Sequence, residues 1–117
     1  MMLTEEILVQ KFTTVAKERC PEISDLLQYC HIELVSFYWG VNPKLCQYFV
    51  VYFPHQLFTS IIEYRDVFRN IAQDLGTSEA ICMNATRIIR DPGSNLKQTN
   101  PVLWLELQWV VAQHIEM

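Results

Sequence analysis

The chain has 117 residues, nine Lys and Arg against thirteen Asp and Glu, and a formal charge of −4. A single core ordinarily occupies about 100–150 residues, so two full domains are excluded. Half the residues are apolar, which excludes wholesale disorder, and the acidic balance disfavours a domain that grips phosphates in bulk.

From Thr4 to Arg19, residues Ile7, Leu8, Phe12, Val15 and Ala16 share one side at helical spacing, with Thr4 as N-cap and Glu5 and Glu6 near the positive helix end. Pro21 disfavours helical geometry at Cys20 and suits the first turn of a second helix reaching about Tyr29. Between His31 and Trp39 the period falls to two and the residues are β-branched and aromatic, which predicts a strand. Gly40 to Lys44 is a turn by composition, and Leu45 to Phe53 reads as a second strand in an antiparallel hairpin, with an apolar run suited to cover on both faces or to a central position.

The stripe Leu57, Phe58, Ile61, Ile62, Phe68, Ile71, Ala72 and Leu75 predicts one helix from His55 to Leu75, stopped by a left-handed Gly76. Alternation from Ser78 to Ile89 predicts a third strand, and Arg90 to Asn100 a long polar connection with a turn at Asp91-Pro92-Gly93. The tail from Pro101 to Glu116 fits a helical stripe of Leu103, Leu107, Val110 and Val111, yet Leu103, Leu105, Leu107, Trp109 and Val111 also alternate like a strand. Asn100 as cap and Pro101 in the first turn favour helix. The expected fold is a single α+β domain over residues 1–117, with helices on one face of a three-stranded mixed sheet in the order α-α-β-β-α-β-α.

Over about residues 4 to 89 this order, with Gln47 to Pro54 leading into the long helix and Glu79 to Met83 following it, resembles the plan of KH-like domains such as the N-terminal domain of bacterial replication initiators. The KH family's Gly-x-x-Gly nucleic-acid loop is absent, so the resemblance implies no RNA binding. Replication-initiator domains of this plan bind protein partners, and a protein partner is what the resemblance implies.

Met1 to Glu6 has no positive leader followed by an apolar stretch, and the densest apolar run, Phe49 to Phe53, falls far short of the roughly 18–20 residues that cross a bilayer. The expectation is a cytoplasmic protein with no membrane span. Cys20, Cys30, Cys46 and Cys82 form no Cys-x-x-Cys and read as free thiols. His31, His55 and His114 lack zinc-ligand spacing, so no metal is expected. Cys30, Cys46, Cys82, Ser36 and Ser60 sit in no nucleophile motif, Glu33 and Glu79 read as single strand carboxylates, and Gly40, Gly76 and Gly93 are isolated rather than forming a phosphate loop. No enzyme and no cofactor is expected. A thiol enzyme using Cys30 or Cys82 is the weakest class.

The aromatic residues carry more information. Phe37, Tyr38, Trp39, Tyr48, Phe49, Tyr52 and Phe53 put large rings on both faces of the hairpin. Of these, Tyr38, Trp39 and Tyr48 are expected to be exposed near the turn, and Trp104 and Trp109 to lie partly beyond the stripe of the C-terminal helix. These five residues are the candidate partner-binding set for an adaptor that binds another protein or self-associates. Arg87, Arg90 and Lys97 form a candidate anion-binding edge. With Arg65 and Arg69 they support the alternative, a nucleic-acid-associated accessory domain.

Overall fold

The computed structural model describes residues 4–113 and 115. Thr4 caps α1 (Glu5–Arg19) by accepting from the Ile7 N–H at 3.2 Å, with Glu5 and Glu6 in its first turn and Lys17 and Arg19 in its last. Pro21 forces Cys20 into extended backbone, and α2 (Pro21–Leu27) begins at that proline. β1 (His31–Trp39) and β2 (Lys44–Phe53) form the antiparallel hairpin, turning through Gly40, whose φ of 102° lies in the left-handed region.

A 3₁₀ turn at His55–Leu57 leads into α3 (Phe58–Glu63), and α4 (Arg65–Asp74) follows. The single helix expected from His55 to Leu75 is therefore interrupted at Tyr64. Phe58 anchors α3 on Phe53, ring centroids 6.0 Å apart, whereas α4 is tied to the far end of β3 through Arg69 and Glu79. These two contacts lie on either side of the break. Apolar spacing continues across it, which is why the period does not show it. Gly76, with φ of 85°, ends α4 as expected.

β3 (Glu79–Asn84) is half the expected length. The Asn84 side chain accepts from the Arg87 N–H at 3.2 Å and starts α5 (Ala85–Arg90), in which Ala85, Ile88 and Ile89 share an inner side at helical spacing rather than alternating. The polar connection contains a short helix, α6 (Leu96–Thr99), after a turn in which the Asp91 side chain accepts from the Gly93 N–H. α7 (Pro101–Ala112) is a helix, capped by Asn100 accepting from the Leu103 N–H. It stops at Ala112, short of the expected Glu116: Gln113 turns into extended backbone and Ile115 is not helical, while His114 and Glu116 lie outside the described residues.

The molecule is a small α+β domain with a three-stranded mixed sheet, ordered β1-β2-β3, with β2 antiparallel to β1 and parallel to β3. The helices cover both faces of the sheet, not one. On one face Phe49, Val51 and Phe53 of β2 meet Leu8, Phe12 and Ala16 of α1, Ile23 of α2 and Phe68, Ile71 and Ala72 of α4. On the other, Val50 and Tyr52 meet Ala85 of α5 and Leu103, Leu107 and Val110 of α7. The unbroken apolar run in β2 is the sequence signature of this double burial.

Candidate interaction surfaces

Pairing in the hairpin decides which rings share a face. Tyr38 lies opposite Leu45, Trp39 opposite Lys44, Phe37 opposite Cys46 and Val35 opposite Tyr48. Since neighbouring residues of a strand point to opposite faces, Phe37, Trp39 and Tyr48 belong to the α7 face and Tyr38 and Leu45 to the α1 face. The helical cover of the α1 face ends near Ser36, whose hydroxyl lies 3.5 Å from a carboxylate oxygen of Glu5 in the first turn of α1. Beyond that point the hairpin projects. Tyr38 is 71% and Trp39 73% exposed, flanked by exposed Phe37, Val41 and Leu45.

Tyr48 differs from the other two strand candidates: it is half-buried, with the edge of Phe37 against it at 6.1 Å between centroids. The three are not one patch. Tyr38 is split from Trp39 by the sheet itself, and Tyr48 lies inward of both.

α7 is apolar on two sides. Leu103, Leu107 and Val110 face the core, while Val102, Leu105 and Trp109 are 70%, 63% and 52% exposed. Their spacing of three and four residues makes one outward stripe opposite the buried one. Trp104 is half-buried, and the Lys97 ammonium sits 5.0 Å from its ring centroid. This cation–π contact separates Lys97 from its expected companions. Arg87 and Arg90 instead line a cavity of about 320 Å³ with His55, Thr86 and Asp91, whose carboxylate shares the site. Val102 and Leu105 were legible as members of an i, i+3, i+7 stripe through Trp109, whereas Val41 and Leu45 had no signal beyond their closeness to the turn.

The titratable groups under α7 form a separate cluster. His31 Nδ1 lies 3.8 Å from Glu106 on α7, and the His31 ring stacks on Tyr52 at 6.0 Å. Burial pushes the Tyr52 hydroxyl up to about 12, with Glu33 and Tyr48 adding to the rise. Burial also raises the Glu33 carboxyl, opposed by His31 and reinforced by Glu5 and Glu106. Glu33 thus holds its proton more tightly folded than unfolded. Its stabilising contribution is complete below the ordinary carboxylate range and is lost as pH rises through the raised folded value. Glu33→Gln is expected to raise the melting temperature at pH 7 and to leave it unchanged near pH 3.5. Calorimetry at the two pH values checks this, and an equal change at both would exclude the linkage.

All four cysteines are free. Burial pushes the Cys30 thiol up to about 12, with Cys82 adding to it, and the Cys82 thiol up to about 11 against a lowering by Arg65. Both are thiols rather than thiolates at neutral pH, the poorer nucleophilic form. Among the described residues, no three His, Cys, Asp or Glu side chains converge to hold a metal ion, and no helix is long and apolar enough to cross a membrane. His114 lies outside the described residues. Compared with protein-family models, characterised proteins and solved structures, the chain matches none.

Proposed function

We propose that this domain is a non-enzymatic interaction module, an adaptor that binds protein through the outer face of α7 and the projecting end of the hairpin. The observation that carries the reading is the second apolar stripe of α7, Val102, Leu105 and Trp109, which the domain's own core leaves in water. Large apolar patches of this kind are costly to keep exposed and mark association surfaces, and tryptophan is prominent among the residues that dominate binding energy. Tyr38 and Trp39 supply a second contact region at the hairpin end. The raised thiols of Cys30 and Cys82 support a non-enzymatic role, and four unpaired cysteines support a reducing, cytoplasmic setting.

The test combines Leu105→Glu with Trp109→Ala. Both residues are on the surface, so helix content and melting temperature should hold. Sedimentation of the wild-type chain over a range of concentrations is expected to show self-association that the variant loses. If the wild type is monomeric, affinity capture is expected to retain a protein that the variant releases. Monomers in both, with the same captured set, would overturn the proposal.

A nucleic-acid-associated role rests on the convergence of Arg87 and Arg90 in one cavity. It requires oligonucleotide binding that weakens steeply with salt. Asp91 in the same cavity and the engagement of Lys97 with Trp104 make it the weaker reading.

A further inference from the structure

Among the described residues β3 pairs with β2 alone, so its other backbone edge has no strand partner. The Gln47 carbonyl accepts from both the Ser78 N–H, at 2.9 Å, and the Ser78 hydroxyl, at 2.7 Å, which turns it toward β3. With the parallel register, Glu79, Ile81 and Met83 then direct their amides to β2, and Ala80 and Cys82 direct theirs outward. The Ala80 N–H agrees with this assignment: it donates to Glu79 Oε1 at 3.2 Å. The same oxygen accepts from Arg69 Nε at 2.8 Å. One carboxylate oxygen therefore bridges an open-edge amide and an arginine.

Alongside this edge α3 and α4 leave a groove. One cavity of about 240 Å³ is lined by Ile62, Arg65, Arg69, Ala80, Ile81 and Cys82. A second, of about 330 Å³, shares Ile62 and Cys82 with it and continues to Phe58, Met83 and Arg87. Three arginines line this groove in a chain whose formal charge is −4, and one of them, Arg69, is already paired with the Glu79 carboxylate at the rim. Phe58, Ile81 and Met83 are exposed along it.

The geometry points to β3 as the acceptor of an extended acidic peptide from another protein, added as a fourth strand. Main-chain hydrogen bonds to Ala80 and Cys82 supply affinity, and carboxylates set against Arg65, Arg69 and Arg87 supply selectivity. The Glu79 carboxylate occupies the place that such a strand would take. A second copy of the chain is the wrong occupant, because its β3, Glu79–Asn84, brings a single carboxylate, and that one already engages Arg69. A nucleic acid also satisfies arginines, but its backbone does not repeat the alternating N–H and C=O groups that a strand edge pairs one for one, as a peptide does.

The test titrates the full chain with a fluorescein-labelled heptapeptide of alternating glutamate and valine, read by anisotropy and by amide exchange. Expected results are saturable binding, slowed exchange at Ala80 and Cys82, and an affinity loss of about tenfold or more when Arg65→Glu is combined with Arg87→Glu. Glu79→Ala should tighten binding several-fold by vacating the edge, whereas Glu18→Ala, the same charge change on α1, should not. The proposal is overturned by no saturation up to about 1 mM peptide, or by binding indifferent to the arginine reversals. It is also overturned if decauridylate, or a second copy at high concentration without peptide, protects the same amides. Leu105→Glu with Trp109→Ala should leave peptide binding intact, so failure at this edge and failure at α7 are separate results.

Discussion

Phe12→Ala is expected to lower the unfolding free energy by about 3–5 kcal/mol, the range for deleting a fully enclosed phenyl ring. Phe12 is wholly buried, with its ring 4.6 Å from Phe49 and 5.9 Å from Phe68. It ties α1 to the central strand and to α4 at once. No rearrangement fills the gap cheaply, because both ring partners are held in hydrogen-bonded elements, β2 and α4. Small domains are stable by roughly 5–15 kcal/mol, so this loss removes a large share of the total. Urea unfolding followed by circular dichroism checks it. A loss below about 1 kcal/mol would show that the site collapses freely, contrary to the close-packed arrangement described.

Leu107→Ala is expected to cost about 2–5 kcal/mol, but to do so locally. Leu107 is fully enclosed in the smaller core, between α7 and the Val50 and Tyr52 side of β2, and is not part of the core formed by α1, α2 and α4. The loss should appear first as release of α7, since elements with few enclosed contacts open below the global transition. Amide exchange is the measurement: amides of α7 should lose protection while those of β2 next to Phe49 and Val51 retain it. Simultaneous loss in both would show that the two cores form one cooperative unit.

Much of the fold was legible because local chemistry and burial agree. Thr4, Pro21, Gly76 and the Asn100-Pro101 pair mark helix ends by mechanisms that operate within a few residues, and each acts as expected. The departures arise where the pattern is degenerate. Ala85, Ile88 and Ile89 fit a helix as readily as Ala85, Arg87 and Ile89 fit alternation, and the hydrogen bond from the Arg87 amide to Asn84 decides between them. The break at Tyr64 falls within continuous apolar spacing, so the period alone does not reveal it.

The candidate surfaces divide in the same way. Exposure of Trp109 follows from helical periodicity, and exposure of Tyr38 from the shortness of α1 relative to the hairpin. Tyr48 and Trp104 are half-covered by Phe37 and Lys97, the first across a strand pair and the second across a helix junction. The open edge of β3 depends on strand order, and order is a property of the assembled sheet.

Alternate residues of β2 feed separate cores, which makes this strand a proofreader of its own alignment. A slip of one position would turn Phe49, Val51 and Phe53 toward α7 and bring Val50 and Tyr52 under α1, so rings too large for one compartment would leave voids in the other. Misthreaded hairpins are thus penalised on two sides together. An inserted residue within Phe49–Phe53 is far more disruptive than one at Val41, where the chain merely reverses in solvent.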